Sequence, residues 1–150
     1  MSLLNRLKTP IISTFSQKDL VLRIFLLVSF IFITNTLAMY FFWYSSLWWF
    51  DMPMHYLGGL FLGFFVLGLV LYTPLGKREK KTTSYDYILF LLAGVIAIGL
   101  LWEMFEYVVD LNTTQIGFNL SDTLSDIMFD TAGGLTFILY YLSLHTKKVE

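Results

Sequence analysis

A chain of 150 residues has the length of one domain, but its composition excludes a water-soluble one: 57% of residues are hydrophobic, 19% aromatic and only 14% charged. A soluble surface takes roughly a quarter charged residues. The chain has no cysteine, which excludes a disulfide framework and a thiolate metal site, and its net charge of −1, with no basic stripe, excludes nucleic acid as a partner.

In chain order, residues 1–18 form a short basic segment carrying Arg6, Lys8 and Lys18. The apolar run that follows is too long for a signal-peptide core and no small-residue cleavage pattern follows it, so it reads as a retained first span. Residues 19–146 then hold four segments long enough for a hydrocarbon core, which a helix crosses in about 20 residues. They run over about 20–42, 53–73, 87–109 and 122–144, and residues 147–150 form a tail. The fourth is cleanly apolar only from Thr131 onward. The expected fold is an all-α integral membrane protein, a small bundle of four transmembrane helices with both termini cytoplasmic.

The basic residues set the orientation. With the N-terminus inside, Arg6, Lys8, Lys18, Arg23, the cluster Lys77, Arg78, Lys80 and Lys81, and the pair Lys147 and Lys148 all fall on the cytoplasmic side, which is all ten Lys and Arg residues. The two outer loops, about 43–52 and 110–121, contain none. So one-sided a distribution follows the positive-inside rule and requires an even number of spans. Trp43, Trp48, Trp49 and Trp102 cluster near the outer interface, and the stretch Phe41 to Phe50 is expected to lie along it. Gly59 and Gly63 have small-xxx-small spacing on the second span, and Gly133 and Gly134 interrupt the fourth; the ordinary role of such glycines is close helix packing.

The acids divide differently. Asp19, Glu79, Asp86 and Glu150 are cytoplasmic, near bases, whereas the remaining seven of eleven (Asp51, Glu103, Glu106, Asp110, Asp122, Asp126 and Asp130) lie at the outer ends of spans together with His55. Their spacing is helical: Asp51 and His55 are i, i+4; Glu103, Glu106 and Asp110 are i, i+3, i+7; Asp122, Asp126 and Asp130 are i, i+4, i+8. Each set therefore occupies one face of its helix. At about 1.5 Å rise per residue, Asp130 lies roughly 12 Å below Asp122, and Glu103 roughly 10 Å below Asp110. A carboxylate at hydrocarbon depth costs on the order of 3 kcal/mol, so the three faces are expected to point at one another rather than at lipid.

No Lys or Arg is on that side to neutralise them. Two compensations remain, protons or metal cations. Carboxylates with one imidazole are ligand chemistry for Mg, Mn or Ca and, with fewer oxygens, Zn or Fe. The expected metal ligands are Glu103, Glu106, Asp126, Asp130 and His55, with His55 as ligand or general base and Asp51 or Asp122 orienting it. Each has a plainer alternative: Asp51 and Asp122 as helix N-caps, Asp110 as a solvated loop residue, His55 as an interfacial histidine. The triplets Asn112-Thr113-Thr114 and Asn119-Leu120-Ser121 match a glycosylation pattern but lie close to the membrane.

The ordered set Asp51-x-x-x-His55, Trp102-Glu103-x-x-Glu106-Tyr107 and Asp122-Thr123-x-x-Asp126 followed by Gly133 resembles the YjdF-like inner-membrane family. It is similar, more distantly, to the VanZ-like family, whose members are associated with glycopeptide resistance. The resemblance covers roughly residues 50–135 and implies a bacterial cytoplasmic-membrane protein. The chain departs from the YjdF-like pattern at Thr114-Gln115-Ile116-Gly117-Phe118 and adds Asp130 one turn deeper. Asp122-x-x-x-Asp126-x-x-x-Asp130 also looks like the end of the CDP-alcohol phosphotransferase motif, but the earlier Asp-Gly-x-x-Ala-Arg half is absent, which excludes that assignment.

The function that follows is an outward-facing, divalent-metal-dependent hydrolase or transferase working on a lipid or cell-envelope precursor. The expected partners are membrane lipids and a lipid-linked substrate, with oligomerisation left open. Two alternatives use the same acids differently. One is a proton- or cation-coupled transporter or channel component; the other is a non-catalytic assembly subunit.

Overall fold

The computed structural model describes residues 15–73, 84–113 and 119–149, and all of its regular structure is helical. The elements are α1 (Gln17–Tyr40), a short α2 (Trp43–Ser46), α3 (Asp51–Tyr72), α4 (Ser84–Thr113) and α5 (Leu120–Val149). The N-terminal basic segment up to residue 14, the 77–81 cluster, the 114–118 loop and the side chains of Lys147 and Lys148 lie outside the described residues.

Local chemistry sets several of the helix ends. Ser16 caps α1, accepting from the Asp19 backbone N–H at 3.1 Å and donating its own hydroxyl to the Asp19 carboxylate at 2.6 Å. That arrangement puts a negative charge in the first turn, where the helix dipole favours it. After Tyr40 the chain reverses through Phe42, which adopts the left-handed backbone region at φ 57°. Its carbonyl accepts from the hydroxyls of Ser45 and Ser46, at 3.0 and 2.8 Å. Helix α3 tolerates Pro53 in its first turn, where no intrahelical N–H is needed. It stops at Tyr72 because Thr73 is extended, at ψ 164°, as the residue before a proline prefers.

Two helices outrun the sequence reading. Helix α4 continues to Thr113 rather than ending near 109, with Asn112 and Thr113 bonding back to the carbonyls of Val108 and Val109 at 2.6 and 2.8 Å. Asp110 is therefore helical, not a loop residue. Helix α5 runs unbroken through Gly133 and Gly134 to Val149, well past 144. The glycines do not interrupt it because each is packed against a neighbouring helix.

Packing gives a hierarchy. Helices α3 and α5 form the tightest pair, α4 lies against α5, and α1 leans mainly on α3. A methyl group added at Gly59 would fall on the Asp130 carbonyl, and one at Gly133 on the Tyr56 carbonyl. The α3–α5 backbones are thus in direct contact, the close approach that small residues permit between membrane helices. Pairs such as Tyr56 with Gly133 and Gly63 with Phe137 show α3 and α5 running in the same direction. Gly99 with Asp130 and Val95 with Gly134 show α4 running against them.

Away from Asp51 and Asp126, the fully buried side chains are apolar or aromatic: Leu20, Leu67, Leu91, Val95, Phe137 and Tyr141. Phe64 meets Phe137 edge-on at 4.6 Å between ring centroids. Outward, Phe25, Phe32, Leu101, Met104, Phe105, Met128 and Leu139 are all exposed. So much exposed apolar surface is stable only against hydrocarbon. Four helices, α1, α3, α4 and α5, are long and apolar enough to cross a membrane, and the protein is a multi-pass, all-helical membrane protein.

Candidate functional site

At one end of the bundle the polar faces of three helices meet. The first turn of α3 brings Asp51 and His55, four residues apart and therefore stacked on one face. The first turns of α5 bring Asp126 and Asp130 on one stripe, and the last turns of α4 bring Glu103 and Glu106. His55, Asp126 and Asp130 are only 7%, 3% and 6% exposed, a degree of burial that polar side chains reach only with partners.

The imidazole of His55 is the hub. Its Nε2 lies 3.7 Å from Asp51 Oδ1 and 3.8 Å from Asp126 Oδ1. On the opposite edge of the ring, Nδ1 lies 3.5 Å from Asp130 Oδ2. The two ring nitrogens therefore face different carboxylates. Ligand atoms of Asp51, His55 and Asp126 lie within 4.8 Å of one another, and so do those of His55, Glu103 and Glu106. Both triads have the spacing of a metal-binding group.

Asp130 is seated by glycines. Its carboxylate oxygens approach Gly58 of α3 and Gly99 of α4, where an added methyl would come within 3.5 and 2.8 Å of them. Its backbone abuts Gly59. A side chain at Gly99 would displace the carboxylate from the imidazole. Of these glycines the sequence reading singled out only Gly59, and attributed it to packing.

Glu106 and Glu103 differ in their surroundings. Trp102 precedes Glu106 by one helical turn on α4, which puts the two on the same side of the helix. Glu103 Oε1 is shut off from solvent and has no hydrogen-bond partner among the described residues. Burying a carboxylate oxygen without a donor is costly, and such an atom in a native fold calls for a missing partner.

Of the expected site residues, His55, Asp51, Asp126, Glu103 and Glu106 are brought together in the two triads. Asp130 joins the cluster but at the far nitrogen, in neither triad. Asp122 is exposed at the start of α5 and enters no triad. The capping alternatives do not hold. Asp51 is the first residue of α3, whose cap is Phe50, with no side-chain bond. Asn119 precedes α5 and accepts from the Ser121 N–H at 3.2 Å, which leaves no cap role for Asp122.

Tyr44, on α2, was not anticipated. Its hydroxyl donates to Asn35 Oδ1 of α1 at 2.7 Å. Burial, followed by the nearby Asp51 and Glu106 carboxylates, pushes its phenol up to about 12. It is a protonated donor that ties α1 to the mouth of the acid cluster. Asn35, mid-way along the first span beside Thr34 and Thr36, was the visible signal.

A family model described as "Predicted membrane protein (DUF2238)" matches residues 11–147. No curated protein and no solved structure matches the chain.

Proposed function

The chain belongs to this family of predicted membrane proteins, and from the geometry of its acid cluster we propose a divalent-cation-dependent membrane enzyme, a hydrolase or transferase acting on a lipid or cell-envelope precursor. One observation carries the reading: a buried imidazole whose Nε2 faces Asp51 and Asp126 while Nδ1 faces Asp130. No Lys or Arg occurs between residues 24 and 76 or between 82 and 146, so the sequence places no strong base on these helices beside the carboxylates.

The roles divide along the two edges of the ring. Asp51, Asp126 and His55 Nε2 hold the cation. Asp130 orients the imidazole through Nδ1, as carboxylates behind metal-ligating histidines do. This makes Asp130 a positioning residue rather than the ligand that its helical stripe suggested. Once bound, the cation supplies Lewis-acid polarisation of a phosphoryl or carbonyl oxygen. Tyr44 stands at the entrance, its hydroxyl donated to Asn35.

The fully buried side chains of the opposite half are apolar or aromatic, among them Leu67, Leu91, Val95 and Phe137. This supports a one-sided site over a transport path. The distribution of all ten basic residues supports a site facing outward from a bacterial cytoplasmic membrane, and the YjdF-like and VanZ-like resemblance adds the envelope setting.

Elemental analysis of the detergent-purified protein tests the cation: we expect bound divalent metal in the wild type and its loss in Asp126→Asn. Wild type without metal affinity would sink the reading. Because the chain has no cysteine, a single Ser45→Cys can be labelled cleanly. Modification from outside intact cells is expected, and protection there would reverse the proposed orientation.

A further inference from the structure

We propose, resting on the single-cation reading above, that this pocket holds two divalent cations and that its substrate carries a lipid-linked phosphoryl group. The two triads overlap. Both include His55, yet Nδ1 faces Asp130 and only Nε2 is directed at Asp51 and Asp126. One nitrogen lone pair serves one cation. The Glu103 and Glu106 set is therefore either an alternative seat for the same ion or the second half of a two-ion centre.

Charge decides between these. Asp130 faces the imidazole, which leaves Asp51, Asp126, Glu103 and Glu106 as four carboxylates around the two triads. One divalent ion offsets half of that charge at hydrocarbon depth, and the sequence offers no Lys or Arg between residues 24 and 76 or between 82 and 146 to offset the rest. A second divalent ion brings these four to neutrality and leaves only the Asp130 charge, which the neutral, metal-ligating imidazole faces through Nδ1. The buried, partnerless Glu103 Oε1 is the independent sign that something is to be bound on the α4 side. Two-ion centres place their metals about 3.5–4 Å apart, a separation in keeping with two triads that share one residue.

The substrate class follows from the same arrangement. Two cations side by side clamp the attacking and leaving oxygens of a phosphoryl group, and three membrane-spanning helices present the pair toward one end of the bundle, within reach of a lipid headgroup. The shared chemistry is a phosphate ester or anhydride, and its source on these grounds is a lipid headgroup.

The test uses the full chain in detergent, titrated with Mn2+ and followed by bound-metal stoichiometry and electron paramagnetic resonance. The expected result is two ions per chain with a spin-coupled signal at saturation. Glu103→Gln is expected to bind one ion and give an uncoupled signal. One ion in the wild type overturns the two-ion centre and leaves the single-cation reading standing; no ion overturns both. Two ions retained in Glu103→Gln overturns the seat on α4. Should that variant fail to fold, the wild-type stoichiometry and coupling decide alone. Phosphatidate micelles and inorganic phosphate are then added in separate arms against phosphatidylcholine. A change in the coupled signal with phosphatidate at the lower concentration supports the lipid source. A stronger response to inorganic phosphate overturns that source, and no response to either overturns the substrate class.

Discussion

Helices α3, α4 and α5 are built by two different rules along their lengths. In one half, Phe64, Leu67, Leu91, Val95, Phe137 and Tyr141 interlock as a core of large side chains. In the other, Gly59 and Gly133 bring backbones together and Gly58 and Gly99 make room for the Asp130 carboxylate, around Asp51, His55, Glu103 and Asp126. The first half gains dispersion contacts, the main attraction available between helices already surrounded by hydrocarbon. The second gives up bulk to place charge where charge is costly. One half holds the bundle together; the other is shaped around something it binds.

The largest effect should come from breaking the close approach. Gly59→Val would drive a side chain into the Asp130 backbone, whereas Gly94 has nothing within 4 Å of an added Cβ. Overpacking costs typically about 1–3 kcal/mol and more where backbone must move. Gly59→Val is therefore expected to abolish monodisperse protein after detergent extraction, while Gly94→Val elutes and melts like the wild type. Equal behaviour of the two variants would mean that α3 and α5 are not in backbone contact.

Next comes removal of the ion. A ligand at one hundred times its Kd stabilises the folded state by about 2.7 kcal/mol. Chelation by EDTA should lower the wild-type melting temperature reversibly and shift Asp126→Asn by less, since its seat on α3 and α5 is already empty. An EDTA-insensitive wild type would remove the reason for the second building rule.

Phe137→Ala strikes the other half. Phe→Ala in a water-soluble core costs about 3–5 kcal/mol. Here the unfolded reference side chain already lies in hydrocarbon, so only packing is lost, and on the order of 2 kcal/mol is expected. Cation stoichiometry should be unchanged. A loss of metal with this variant would show that the halves are coupled rather than separate.

How much of this division was legible beforehand depends on which residues stand out against an apolar background. Spans, their even number and the three acidic faces were readable because a carboxylate in a hydrophobic helix can only turn inward. The convergence of His55 with Asp126 and Glu103 follows from that one rule. The role of Asp130 was not readable, since a stripe of i, i+4 spacing fixes a face but not which imidazole nitrogen each acid meets. Gly99 was silent because a lone glycine in a membrane helix has many uses. Helix α1 carries apolar residues on every face, so hydropathy could not show that Leu20 and Ala38 would be its only buried residues, or that it flanks the α3–α5 pair.

The smallest effect lies where α1 reaches the acid end. Tyr44 donates to Asn35 at 2.7 Å and packs its ring edge-on against Phe50 at 5.1 Å. Tyr44→Phe keeps the ring contact and deletes the donor, so it isolates the hydrogen bond. An exposed neutral bond of this kind is worth about 0.5–1 kcal/mol, read as a small drop in melting temperature with metal content intact. The pH dependence carries a sign. The folded-state phenol is raised from its ordinary value of 10.0 to about 12 by burial first, then by Asp51 and Glu106. A group whose folded value is raised contributes its stability below its unfolded value and loses it on the way up to the folded one. The gap between wild type and Tyr44→Phe should therefore be constant below pH 10 and close between about 10 and 12. A gap that instead closed near neutral pH would mean that the hydroxyl is not held protonated beside those carboxylates, and that α1 stands apart from the site.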